Sequence, residues 1–142
     1  MSRRRPFTIL AVVGAAAAVT ACGSKGITLD KGQVGPQASA IKQGAQIFAA
    51  RCGGCHTLDA AGTQGSATSV KHRERTDGPN FNVRKEQMAQ VLYAIRNGGF
   101  SGAIMPQNIV VGPDAEKVAA FVAKYAGRKA KSPKGPTPDR LK

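Results

Sequence analysis

Cys52-Gly53-Gly54-Cys55-His56 is the stretch on which this chain turns. Two cysteines three residues apart on a helical turn share one face, and the next residue sets an imidazole beside them. That run reads as C-x-x-C-H, an attachment site for c-type haem. The two sulfurs form thioethers with the vinyl groups of one porphyrin, and His56 supplies the proximal iron ligand. Gly53 and Gly54 are expected to keep bulk away from the ring edge. Three rival chemistries use similar residues. A thioredoxin-like C-x-x-C belongs in a βαβ setting, and no strand alternation flanks this one. A zinc centre would enlist Cys52, Cys55, His56 and His72, but two ligands adjacent in sequence fit one tetrahedron awkwardly. A disulfide between Cys52 and Cys55 would close a very short, strained loop.

Working outward, the spacing predicts a helix on each side. Ala38 to Cys52 places Ile41, Ala45, Phe48 and Ala49 on one helical face. Lys85 to Asn97 does the same with Met88, Val91, Leu92 and Ile95, and Gly98 is a suitable left-handed stop. Asp114 to Ala126 carries Val118, Phe121, Val122 and Tyr125, with Asp114 and Glu116 at the positive end of the helix dipole. Between His56 and Gly78 runs a long loop with the charged patch Lys71-His72-Arg73-Glu74-Arg75. With 142 residues, 17 glycines and only seven aromatic residues, the chain holds one small domain with a modest core. The expected fold is all-α: three main helices around a covalently bound haem that itself forms much of the core.

At this point the chain resembles the class I cytochrome c family over residues 40 to 126. The family places a glycine and an aromatic residue eight and four positions before the first haem cysteine, and here these are Gly44 and Phe48. Its Gly-Pro-Asn-Leu stretch corresponds to Gly78-Pro79-Asn80-Phe81. Its Met-Pro, in a glycine-rich loop, corresponds to Met105-Pro106, and its closing helix to Pro113–Ala126 with Phe121 at the aromatic position. The resemblance implies one haem c, with iron ligated by His56 and Met105. It also implies that the Pro79 carbonyl accepts the other ring N–H of His56. From the residues alone, Met88 and His72 compete with Met105. Met88 sits mid-helix as a gap-filler, and His72 lies among charges, where histidine is usually solvated.

The ends read as an address and a tail. Residues 1–21 combine Arg3 to Arg5, an apolar run from Phe7 to Val19, and then Thr20-Ala21, the pattern of a secretory signal. Val19-Thr20-Ala21-Cys22 resembles the bacterial lipobox, which implies cleavage before Cys22 and acylation there. The apolar run is too short to span a membrane. Residues 22–37 read as a flexible, lipid-anchored linker, residues 38–126 as the cytochrome c domain, and residues 127–142 as a disordered, basic, proline-rich tail. That tail is either a solubilising extension or a contact with anionic headgroups.

The formal charge is +13, much of it at the two ends. No basic stripe interleaves with aromatic residues, so nucleic acid is not an expected partner. No acid–base pair or activated nucleophile accompanies the haem motif, so no catalysis is expected. The resemblance implies a single-electron carrier at the extracytoplasmic membrane face, between a quinol-oxidising complex and a terminal oxidase or reductase. Its basic surface suits acidic docking patches. The alternative is a haem enzyme or gas-sensing haem domain with an open distal site.

Overall fold

The computed structural model describes residues 26–32, 34–100 and 104–129. The expected signal peptide, Cys22, and the chain beyond Lys129 lie outside them. Helix α1 (Pro36–Arg51) begins with a proline in its first turn and buries Ile41, Gly44, Ala45 and Phe48, the face predicted from spacing. Helix α2 (Met88–Asn97) buries Val91 and Ile95 and stops at Gly98, whose φ of 75° is the left-handed stop expected there. Helix α3 (Gly112–Tyr125) buries Ala115, Val118, Ala119, Phe121, Val122 and Tyr125. Two short strands, β1 (Thr57–Leu58) and β2 (Thr63–Gln64), pair antiparallel directly after the cysteine motif. The all-α expectation holds, with this ribbon as a minor addition.

α1 and α2 both pack against α3. Gly44 makes the α1–α3 crossing close, because a Cβ there would collide with the Lys117 carbonyl of α3 and touch Phe121 Cβ at 3.0 Å. Phe121 is fully buried where the helices meet, edge-on to Phe48 with ring centroids 5.8 Å apart and 5.2 Å from Tyr125. Burying such rings supplies most of the driving force for a small domain.

The expected start of α2 needs correction. α2 starts at Met88, not Lys85, because Gln87 is extended and exchanges hydrogen bonds with Gln90 in a capping box. Lys85 and Glu86 are good helix formers, but tertiary contacts claim them: Glu86 pairs with Arg84, and the Lys85 backbone packs under Gly127. Met88 is therefore the first helical residue and about two-fifths exposed, not a buried mid-helix gap-filler.

Residues on either side of the three helices are also bonded to the rest of the fold. Thr28 and Asp30, assigned to the linker, are tied down. The Thr28 N–H donates to the Ala60 carbonyl at 3.0 Å and the Asp30 N–H to the Tyr125 hydroxyl at 3.1 Å. Arg128, assigned to the tail, grips the Asp30 carboxylate with both guanidinium nitrogens at 2.7 and 2.8 Å and lies 4.0 Å over the Tyr125 ring. Gly127 and Lys129 donate backbone N–H groups to Phe81 and Asn82 at 2.8 and 2.7 Å, and the Lys129 ammonium pairs with Asp59. Local composition cannot foresee such bonds, since each joins residues far apart in the chain. Among the described residues, no helix is long and apolar enough to cross a membrane.

Candidate functional site

The cysteine motif continues α1 as a tight turn. Cys52 caps the helix by donating its N–H to the Phe48 carbonyl at 2.8 Å, and its own carbonyl accepts from Cys55 N–H at 3.1 Å and His56 N–H at 2.9 Å. Neither Cys52 nor Cys55 is in a disulfide. Burial, with Cys55 adding to it, pushes the Cys52 thiol up to about 11, so it stays protonated at neutral pH. Gly53 is required for a reason other than the one expected. A Cβ there would strike Ala49 O at 2.6 Å and Thr63 Cγ2 at 2.7 Å, so the motif is seated on the β1–β2 ribbon; Gly54 meets nothing within 4 Å.

His56 is oriented by the Gly78–Phe81 stretch. Its Nδ1 lies 3.2 Å from the Pro79 carbonyl, a contact that holds only if Nδ1 carries the proton and donates. That tautomer leaves Nε2 with its lone pair. The ring stacks on Phe81 with centroids 4.8 Å apart and planes 10° from parallel. A Cβ on Gly78 would collide with the imidazole, so glycine is what lets the loop lie against it. Burial, seconded by the positive charge of Arg84, holds the imidazole below its usual pKa against the opposing Pro79 bond. A neutral imidazole with one nitrogen tied and the other free is a metal ligand set in place.

These groups share one open cleft, about 1150 Å³ with its mouth and the solvent in it counted. Cys52, Cys55, His56, Pro79 and Met105 all line it, and its walls are mostly apolar, with Phe48, Val91 and Val122 among them. Met105 comes from the segment after α2. Its position is set by Gly98, where a Cβ would crowd the Met105 carbonyl at 2.7 Å, and by the Asn108 N–H bonded to Ile95 O at 2.8 Å. Residues 101–103 of the same loop lie outside the described residues. Met88 and His72 are not brought to the cavity; His72 is exposed, with Nδ1 2.9 Å from Ser69 Oγ. Among the described residues, no three His, Cys, Asp or Glu side chains cluster as a metal cage, which removes the support for a zinc centre built on His72.

Sequence reasoning missed the charged part of the wall. Arg51, Arg73, Arg75 and Arg84 line the cavity, and Glu86, with its side chain only 6% exposed, pairs with Arg84 Nε at 2.5 Å. No periodicity distinguishes these from ordinary solvated loop charges. Arg51 stands at the end of α1 beside Cys52, and Arg73, Arg75 and Arg84 reach the same wall from the segment between the cysteine motif and α2.

A mostly apolar cavity with two thiols, a free imidazole nitrogen and a thioether on its walls suits a flat metal-bearing ring better than a small polar substrate. It places the domain in the class of haem-binding electron-transfer proteins. Comparison with protein families agrees: residues 41–126 match the family model for cytochrome c, and the chain belongs to that family. Membership implies a haem c held covalently through cysteines, and the family's members are generally electron carriers. No curated protein matches the chain.

Proposed function

We propose that this protein is a membrane-anchored monohaem cytochrome c that carries single electrons at the extracytoplasmic face, between a quinol-oxidising complex and a terminal oxidase or reductase. Cys52 and Cys55 would hold the haem covalently, His56 and Met105 would bind its iron, and acylated Cys22 would be the anchor. The observation that carries the reading is the convergence of both thiols, the oriented imidazole and the Met105 thioether on one cavity from separate parts of the chain. When bound, the haem supplies a one-electron iron couple. The residues supply the rest. Pro79 holds the His56 tautomer and makes the imidazole a stronger donor, Phe81 and Gly78 fix its plane, and Phe48, Val91 and Val122 exclude water. With His56 and Met105 both on the iron, a gas or substrate would have no ready site there, and the protein would transfer electrons without catalysing a reaction itself.

The test is the mature protein made in a host with cytochrome assembly machinery. We expect one haem that survives denaturing electrophoresis, is absent from the Cys52→Ser, Cys55→Ser double variant, and does not bind carbon monoxide readily at neutral pH. A polypeptide mass without haem sinks the proposal. Ready carbon monoxide binding would instead favour the open-site haem enzyme or sensor.

A further inference from the structure

Charge is spread unevenly around the wall of the cleft. Arg51, Arg73 and Arg75 are exposed there, so water and salt screen them. Asp77 is half-buried and accepts the Glu74 N–H at 2.6 Å. Glu86 differs. Its side chain is 6% exposed, and its carboxylate lies 2.5 Å from Nε of Arg84, whose side chain is 53% exposed. Taking a carboxylate out of water costs free energy that an ion pair at best returns, so stability gives little reason for this arrangement.

The pair is placed by the same turn that fixes the imidazole. The Phe81 N–H donates to the carbonyl of Thr57, next to His56, at 2.8 Å. The Val83 and Arg84 N–H groups both close on the Asn80 carbonyl, at 3.3 and 3.2 Å. Pro79 and Phe81 touch the His56 ring, and Arg84 ends the turn that carries them. Glu86 stands just ahead of the Gln87 cap of α2, and both charged side chains line the cleft that holds His56 and Met105. A charge kept out of water acts across such a cleft with little screening, while the exposed charges of the same wall act weakly.

We propose that the Arg84–Glu86 pair sets the reduction potential of the haem in this cleft, with the buried Glu86 carboxylate holding it below the value that Arg84 alone would give; this rests on the haem reading of Cys52, Cys55, His56 and Met105. An oxidised haem carries one positive charge more than a reduced one. A cation in the wall therefore favours arrival of the electron, and an anion opposes it. Neither residue is an iron ligand; both act through the field in the cleft.

The test is a redox titration of the purified holoprotein, followed by visible absorption. Glu86→Gln and Glu86→Met keep the bulk of the side chain and drop its charge. At a fixed ambient potential near the wild-type midpoint, each should raise the ratio of reduced to oxidised protein about three-fold, where tenfold corresponds to about 59 mV for one electron. Adding Arg84→Gln to Glu86→Gln should bring the ratio back to near the wild-type value. A merely structural role predicts the opposite sign for the Glu86 variants, because a cleft loosened to water favours the more charged, oxidised form. An unchanged or lowered ratio in both Glu86 variants overturns the proposal, as does a double variant that stays as high as Glu86→Gln. Loss of haem from both Glu86 variants overturns it too, by making the pair a folding element. Haem staining of the wild type reports separately on the haem reading: wild-type protein that carries haem while its variants fail these tests loses only the tuning role.

Discussion

Met105 and Met88 show how one residue type acquires two meanings. Both are methionines flanking the same helix, yet only Met105 lines the cavity, while Met88 is half-exposed at the first turn of α2. A thioether opposite histidine raises the reduction potential in cytochromes c as a class. Met105→His should therefore lower the midpoint potential in a redox titration, and Met88→Leu should leave it where it was. An unchanged potential in the Met105 variant would show that the sixth ligand lies elsewhere. His56 was readable because its neighbours in sequence define it. The Arg84–Glu86 pair was not, because a buried carboxylate two residues from an arginine looks like any loop charge until the chain folds over it.

At the scale of the element, spacing identified all three helices and most of each buried face, though not at Met88, because a 3.6-residue period survives whatever the helix packs against. Their starts were less legible. The onset of α2 depends on the Gln87–Gln90 exchange, and glutamines are equally at home inside a helix. The α1–α3 crossing offers a test in which two effects oppose each other. Gly44→Ala should gain about 1 kcal/mol of helix propensity. Overpacking against the Lys117 carbonyl should cost about 1–3 kcal/mol, since neither backbone can give way cheaply. We expect net destabilisation in urea unfolding of the holoprotein; a more stable variant would mean that the crossing is looser than described.

Among the described residues, Asp30 before the helices is joined to Arg128 after them. The Arg128 guanidinium holds the Asp30 carboxyl below its usual value of 3.8. A group whose pKa is lowered on folding stabilises the fold above its unfolded value, and that contribution is lost as the pH falls through the lower, folded one. The difference in melting temperature between the wild type and Asp30→Asn should thus persist from neutral pH to about 4 and shrink below 3.8. It should also narrow in high salt, since the pair is exposed. A difference that does not change with pH would show that the clasp is not ionic.

The chain's own letters determined the haem-attachment run, the three helices and the identity of the oriented histidine, because each is written in residues adjacent or periodic in sequence. Met105 was expected at the haem from the family resemblance; tertiary structure alone decided that Arg84 and Glu86 stand in the cavity wall, and that Asp30 meets Arg128. Each of these is a meeting of residues far apart, or set side by side only by a loop's path, and such meetings depend on how the helices pack and the long loop lies, which no local pattern encodes.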